Sequence, residues 1–263
     1  MKFNTQQLTS KLALAAIAMG ITNSALASDA IGPGDSDSKW ILGASTVVVN
    51  NIYADEDGLG FLFPNLVYNG DRFFLKNGSL NLHAAQLNDF SFGLTLGVDA
   101  GFLSDDDEYR DNTKLAGLIE RDEILVGGVY INHTTDQGRL NLTMLGDLGE
   151  DRDGYEATLS YTFDLKYGNW NVNPVVGVNW LSDNNVNHAF GVSASEATAT
   201  RAVYEGGSAT NLFAGVRARR AINEHWDLEL KTGVSKLGSS IGDSTIVDDD
   251  EVYHAGVSVN YNF

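Results

Sequence analysis

Residues Glu251 to Phe263 read E-V-Y-H-A-G-V-S-V-N-Y-N-F. Tyr253, Ala255, Val257, Val259, Tyr261 and Phe263 fall on one side of a two-residue period, and His254, Gly256, Ser258, Asn260 and Asn262 on the other. Successive side chains of a strand point to opposite faces, so this is a strand with one apolar and one polar face. An aromatic on the apolar face at the end of such a strand is the pattern expected of the closing strand of a transmembrane β-barrel, lipid outside and polar lumen inside.

Outward from that strand, the first residues point to the same compartment. Lys2 and Lys11 are the only charges before residue 28, Leu12 to Ile21 is apolar, and Ala25-Leu26-Ala27 offers a small-x-small cleavage site. Residues 1–27 are therefore expected to be a signal peptide cleaved after Ala27. The apolar run of about ten residues is half of what a membrane helix needs. The chain has no cysteine, which excludes a lipid-modified leader, disulfide staples and thiolate metal sites.

The formal net charge is −18, and loss of Lys2 and Lys11 leaves 15 basic against 35 acidic residues, a net −20. Nucleic acid is excluded as a partner, because binding it requires clustered Lys and Arg to displace counterions.

Residues 28–38 read as a flexible periplasmic leader, and residues 39–263 as an antiparallel up-and-down barrel. Alternation predicts twelve strands, at about 39–50, 59–69, 72–76, 79–86, 90–101, 120–134, 138–148, 154–166, 169–187, 208–221, 224–237 and 250–263. The third and fourth are short for a span, and without them ten remain. Even parity puts the short turns at one end, near residues 69–71, 87–89, 135–138, 167–168 and 223–224. Every long connection falls at the other end, the asymmetry of outer-membrane barrels. An exported lipocalin-like barrel or sandwich shares the period but buries its apolar face. Tyr155, Trp170, Trp180, Trp226, Tyr253 and Tyr261, all on apolar faces, favour the membrane form by supplying an interfacial girdle.

On the polar faces, Arg217 and Arg219 are expected to meet Glu229 and Asp227 across the turn at 222–223, forming ion pairs in the lumen. They would brace the wall or form a charge-selective constriction. Acidic runs at Asp55-Glu56-Asp57, Asp105-Asp106-Asp107-Glu108, Glu150-Asp151 with Asp153, and Asp248-Asp249-Asp250 fall in the outer connections. They read as a solvated surface facing lipopolysaccharide, or as oxygen ligands for Ca²⁺ or Mg²⁺, although none has EF-hand spacing.

His83, His133, His188, His225 and His254 show no repeated ligand spacing, and no G-x-S-x-G elbow or phosphate-cradling loop is present. Gly97-Val-Asp-Ala-Gly101 is lumen-side spacing on a strand. No catalytic residue, metal site or cofactor is expected.

From Asn187 onward the chain resembles the MltA-interacting protein/OmpV family. The resemblance rests on Phe190-Gly191-Val192-Ser193 with Ala197, Tyr204 and Gly207, His225-Trp226, Leu237, Asp243-Ser244-Thr245-Ile246-Val247, and Tyr261 with Phe263. Tyr53, Pro64 to Tyr68 and Arg72-Phe73-Phe74 extend it upstream, and Thr245 stands where the family usually has proline. The resemblance implies an integral outer-membrane barrel. Family members are linked to scaffolding between a lytic transglycosylase and a murein synthase, or to surface antigen and adhesin roles. A narrow solute channel is the alternative from another class, and a barrel-embedded hydrolase a remote one. By similarity to other outer-membrane barrels, Tyr261 and Phe263 are expected to be read by the barrel-assembly machinery.

Overall fold

The computed structural model describes residues 38–56, 58–76, 78–99, 112–119, 121–149 and 152–263. The expected signal peptide 1–27, the leader up to residue 37, Asp57, Asp105 to Glu108 and Glu150-Asp151 lie outside the described residues.

The strands are β1 (Trp40–Val49), β2 (Leu59–Asn69), β3 (Phe73–Lys76), β4 (Ser79–Leu87), β5 (Phe90–Asp99), β6 (Ile124–Thr135), β7 (Gly138–Asp147), β8 (Tyr155–Phe163), β9 (Leu165–Tyr167), β10 (Trp170–Leu181), β11 (Ala209–Ala221), β12 (Trp226–Lys236) and β13 (Glu251–Asn262). Each pairs antiparallel with its neighbours, and β13 pairs with β1 from Ile41↔Asn262 to Val49↔His254, closing the cylinder. Strands β8 and β9 both pair with β10 and form one wall strand interrupted at Asp164, so twelve strands line the wall. At the interruption Asn173 Nδ2 donates to both Phe163 O and Asp164 Oδ1, satisfying the acceptors exposed by the break.

The alternation sorts sides as the membrane reading requires. On β13 the polar row from His254 to Asn262 is buried in the lumen, while Tyr253, Val257 and Val259 are exposed on the outer wall. A water-soluble barrel buries the opposite row, so the wall is built for lipid.

Two expected strands differ. The segment 120–134 becomes strand only at Ile124. The segment 169–187 leaves the wall at Leu181, where Ser182 Oγ accepts from Asn185 N at 3.4 Å and starts a helix at Asp183–Phe190. Ser182 is an N-cap, Asp183 lies in the first turn and His188 in the last, so local capping overrides the alternation that extends the strand in sequence.

The β3–β4 hairpin belongs to the wall, but it is low. Strand β2 pairs with β1 over its whole length from Trp40↔Tyr68 to Val49↔Leu59, yet with β3 only at Tyr68↔Leu75 and Asn69↔Phe74.

Candidate functional site

The periplasmic half of the lumen is organised by Asp227, which is buried. Its Oδ2 accepts from Arg219 Nη2 and Asn262 Nδ2, each at 2.7 Å, and its Oδ1 from Asn260 Nδ2 at 2.9 Å. Asn260 Oδ1 accepts in turn from Asn65 Nδ2 at 2.8 Å, carrying the network across β1 to β2. Opposed charges close enough for charge-assisted hydrogen bonds, with the remaining lone pairs occupied, meet the condition under which a buried pair is tolerated.

The register differs by two residues from the one expected. Glu229 lies opposite Arg219, and Arg217 lies opposite Lys231. The connection runs through Ile222 to His225, with Asn223 Oδ1 accepting from the His225 and Trp226 amides and Ile222 N donating to Trp226 O. That Asx-type turn is longer than a two-residue one at 222–223. Arg219 reaches Asp227 diagonally, and Arg217 Nη2 donates to Asn173 Oδ1 at 3.2 Å.

Elsewhere the lumen is lined by hydrogen-bonded amides. Asn141 Nδ2 donates to Asn132 Oδ1, and Asn141 Oδ1 accepts from Thr143. Glu156 Oε1 accepts from Thr158 and Asn179, Asn179 Oδ1 from Asn211, and Asn211 Oδ1 from the Gly238 amide. Asparagine suits such a lining because one side chain both donates and accepts, so adjacent strands can be stitched in series.

At the outer end four connections turn inward and share an apolar core. Ile52 and Tyr53 come from the first, Leu115 and Leu118 from the third, and Val186, Ala189, Phe190 and Val192 from the fifth. Leu237, Ile241, Ile246 and Val247 come from the sixth. The core rests on Val49, Ala209 and Val252, inward residues at strand ends. Lone bridges join Tyr53 to Val247 and Val192 to Tyr204. Tyr53, Phe190, Val192, Tyr204, Leu237, Ile246 and Val247, which carry much of the family resemblance, converge in this cap. Thr245, where proline is usual, donates to Ala202 O at 2.9 Å.

Two buried charges hold the cap together. Arg201 is 1% exposed; it donates to Glu196 O, Lys114 O and Ala116 O, tying the fifth connection to the third. Glu196 accepts from Ile119 N, Ser193 N and Ser193 Oγ, and lies 3.0 Å from Arg121. Burial alone raises the Glu196 pKa; the donors from Ile119 and Ser193 and the charge of Arg121 outweigh it and bring it down to about 2. Arg152, a further buried cation from the fourth connection, bridges Asp147 and Asp99 at 2.6 Å each, at the outer ends of β7 and β5.

Members of two acidic runs share a protein cation: Asp55 and Asp248 both face Lys114 Nζ, at 3.5 and 3.0 Å. No cluster of three metal-binding side chains occurs among the described residues. The five histidines sit on separate elements: His83 on β4, His133 on β6 stacked on Phe90, His188 in the cap helix, His225 in the last short turn and His254 on β13. Tyr261 packs edge-on against both Trp226 and Phe263, with ring centroids 5.1 and 4.8 Å apart.

Residues 42–263 match the family model described as MltA-interacting protein MipA. Outer membrane protein Omp26La of Vibrio anguillarum is 24% identical over 86% of the chain and 88% of its own length. Outer membrane protein OmpV of Vibrio cholerae is likewise 24% identical, with the same coverage. The MltA-interacting protein of Escherichia coli is 24% identical over 96% of the chain and 99% of its own length. Polar lumen, lipid-facing wall and family match agree: the chain is an outer-membrane β-barrel of the MltA-interacting protein MipA family.

Proposed function

We propose that the barrel is a membrane-anchored interaction protein whose periplasmic turns dock murein-processing enzymes, and not an open pore. The observation that carries this reading is the cap. Four outer connections share one apolar core fastened by Arg201 and Glu196, so the residues of the family resemblance gather into a seal in place of a reaction centre. A relative's name, MltA-interacting protein, supports a murein hydrolase as the partner class. The outward apolar rows take lipid, with lipopolysaccharide around the outer end, and the Tyr261–Phe263 pair is offered to the assembly machinery. We assign no catalytic role, since the described histidines and carboxylates are spent on structural hydrogen bonds or dispersed over separate elements.

Purified barrel and a purified lytic transglycosylase provide the test. Saturable binding that weakens when the 135–138 and 222–225 turns are replaced by Gly-Ser sequences supports the reading. No binding by a barrel that retains its folded, heat-modifiable mobility overturns it.

The narrow-channel reading has one observation in its favour: Arg217, Glu229 and Lys231 are only half-buried in the lumen. Such charges could select solutes if the cap opened.

A further inference from the structure

The lipid-facing rows of the described strands carry three formal charges: Lys236 and Glu251 at the outer end and Arg220 at the periplasmic end. The first two neutralise each other. They are register partners on β12 and β13, with Lys236 Nζ 3.5 Å from Glu251 and 2.5 Å from Asp250. Arg220 has no carboxylate within ion-pair distance among the described residues; its guanidinium carbon lies over the Trp170 ring, 5.8 Å from the centroid. A ring takes one face of the guanidinium and leaves its in-plane N–H donors free to bond.

Aromatic residues flank this cation on both sides. Trp170 stands one step beyond the Asn171↔Arg219 pair of β10 and β11, and Trp226 lies two residues from Leu228, the β12 partner of Arg220. Tryptophan on a lipid-facing row marks the level of the headgroups, so the guanidinium sits where lipid phosphates are. A cation at that level with no protein counter-charge attracts an anionic lipid. Farther into the membrane, the next lipid-facing residue of β11 is Ala218, smaller than its partners Val172 and Leu230. That step leaves a shallow bed for an acyl chain, and the bed starts at the guanidinium.

We propose that Arg220, backed by Trp170, is a headgroup site for an anionic glycerophospholipid of the periplasmic leaflet. The guanidinium donates two N–H groups to the phosphodiester, and an acyl chain lies along Ala218. Lipopolysaccharide occupies the opposite leaflet and is not the occupant. The site is separate from enzyme docking at the periplasmic turns and holds whether or not that docking occurs.

Native mass spectrometry of the folded barrel in uncharged detergent, with phosphatidylglycerol and phosphatidylcholine added in equal amounts, tests the site. The net negative charge of the chain opposes anionic lipid in general, so a preference for it requires a local cation. Phosphatidylcholine has the same phosphodiester but brings its own cation. One phosphatidylglycerol should be retained about fivefold more than phosphatidylcholine. Arg220→Gln should abolish that preference, and Lys236→Gln, which alters the paired cation at the other end, should leave it. Equal retention of the two lipids, or a preference that survives Arg220→Gln, overturns the proposal. A second measurement needs no variant. Phosphatidylglycerol spin-labelled near its glycerol should broaden the indole N–H resonance of Trp170 more than those of Trp40 and Trp226. Equal broadening of the three means general contact along the aromatic belt and overturns the site as well.

Discussion

Asn65 on β2 donates a 2.8 Å hydrogen bond to Asn260 on β13 although β1 runs between them, because the β1 residue in register with both is Gly43. A Cβ at position 43 would lie 2.3 Å from Asn260 Oδ1 and 2.5 Å from Val259 O, so the lumen contact exists only over a glycine. Gly43→Ala should cost about 2 kcal/mol through overpacking. Asn65→Leu should cost about 1–2 kcal/mol by leaving the Asn260 carbonyl unpaired. Urea titration of refolding into vesicles measures both, and unchanged midpoints would remove the asparagine bridge from the account.

Asp227 and Arg219 are unequal partners. Asp227 gathers Arg219, Asn260 and Asn262, whereas removal of Arg219 leaves two of those three donors in place. Asp227→Leu should therefore destabilise by about 3 kcal/mol or more, and Arg219→Leu by less. A double-mutant cycle should give a coupling of about 1–3 kcal/mol, and zero coupling would show that the 2.7 Å contact has no energetic role.

The strands were legible because each has one face in lipid and one in a wet lumen, an environment that writes a period of two into the residues. The alternation of β13 therefore appears unaltered in the closed wall. Register was not legible from alternation, which is blind to a shift of two residues; the two-residue offset of β11 against β12 came from the turn. Asn223 was the available signal, since its side chain organises the connection. The cap was invisible for another reason: Tyr53, Leu115, Phe190 and Ile246 are too far apart in sequence to show periodicity. Only Ser182-Asp183, a capping pair after an alternating run, marked locally where the fifth connection begins.

Glu196 makes the cap pH-dependent in a definite direction. Its pKa is held at about 2, below its ordinary 4.5, so it stabilises the packed connections above pH 4.5. That contribution is lost as pH falls from about 4.5 through 2. Protease cleavage within 112–119 should rise over that window, and Glu196→Gln should remove the dependence while raising cleavage at neutral pH. Arg201→Ala, which strands three main-chain carbonyls, should cost about 3 kcal/mol and expose the same segment at every pH. Cleavage that ignores pH and both substitutions would separate these residues from the packing of the cap.

Phe263 lies on the lipid side with its ring against Tyr261, and its amide donates to Trp40 O at 3.0 Å. Phe263→Asp places a charge at the membrane interface and should lower the heat-modifiable form recovered from outer membranes. A backbone hydrogen bond does not depend on the side chain, so unfolding of protein that does assemble should change little. Normal recovery of the variant would show that the terminal aromatic is not an assembly signal.

Planar-bilayer recording of the purified, folded barrel tests the proposed seal most directly. A cap packed over the outer mouth predicts no discrete conductance steps in the unmodified protein at neutral pH, with steps appearing in Arg201→Ala. Stable single-channel openings in the unmodified barrel, unaltered by Arg201→Ala, would contradict the sealed, interaction-protein account.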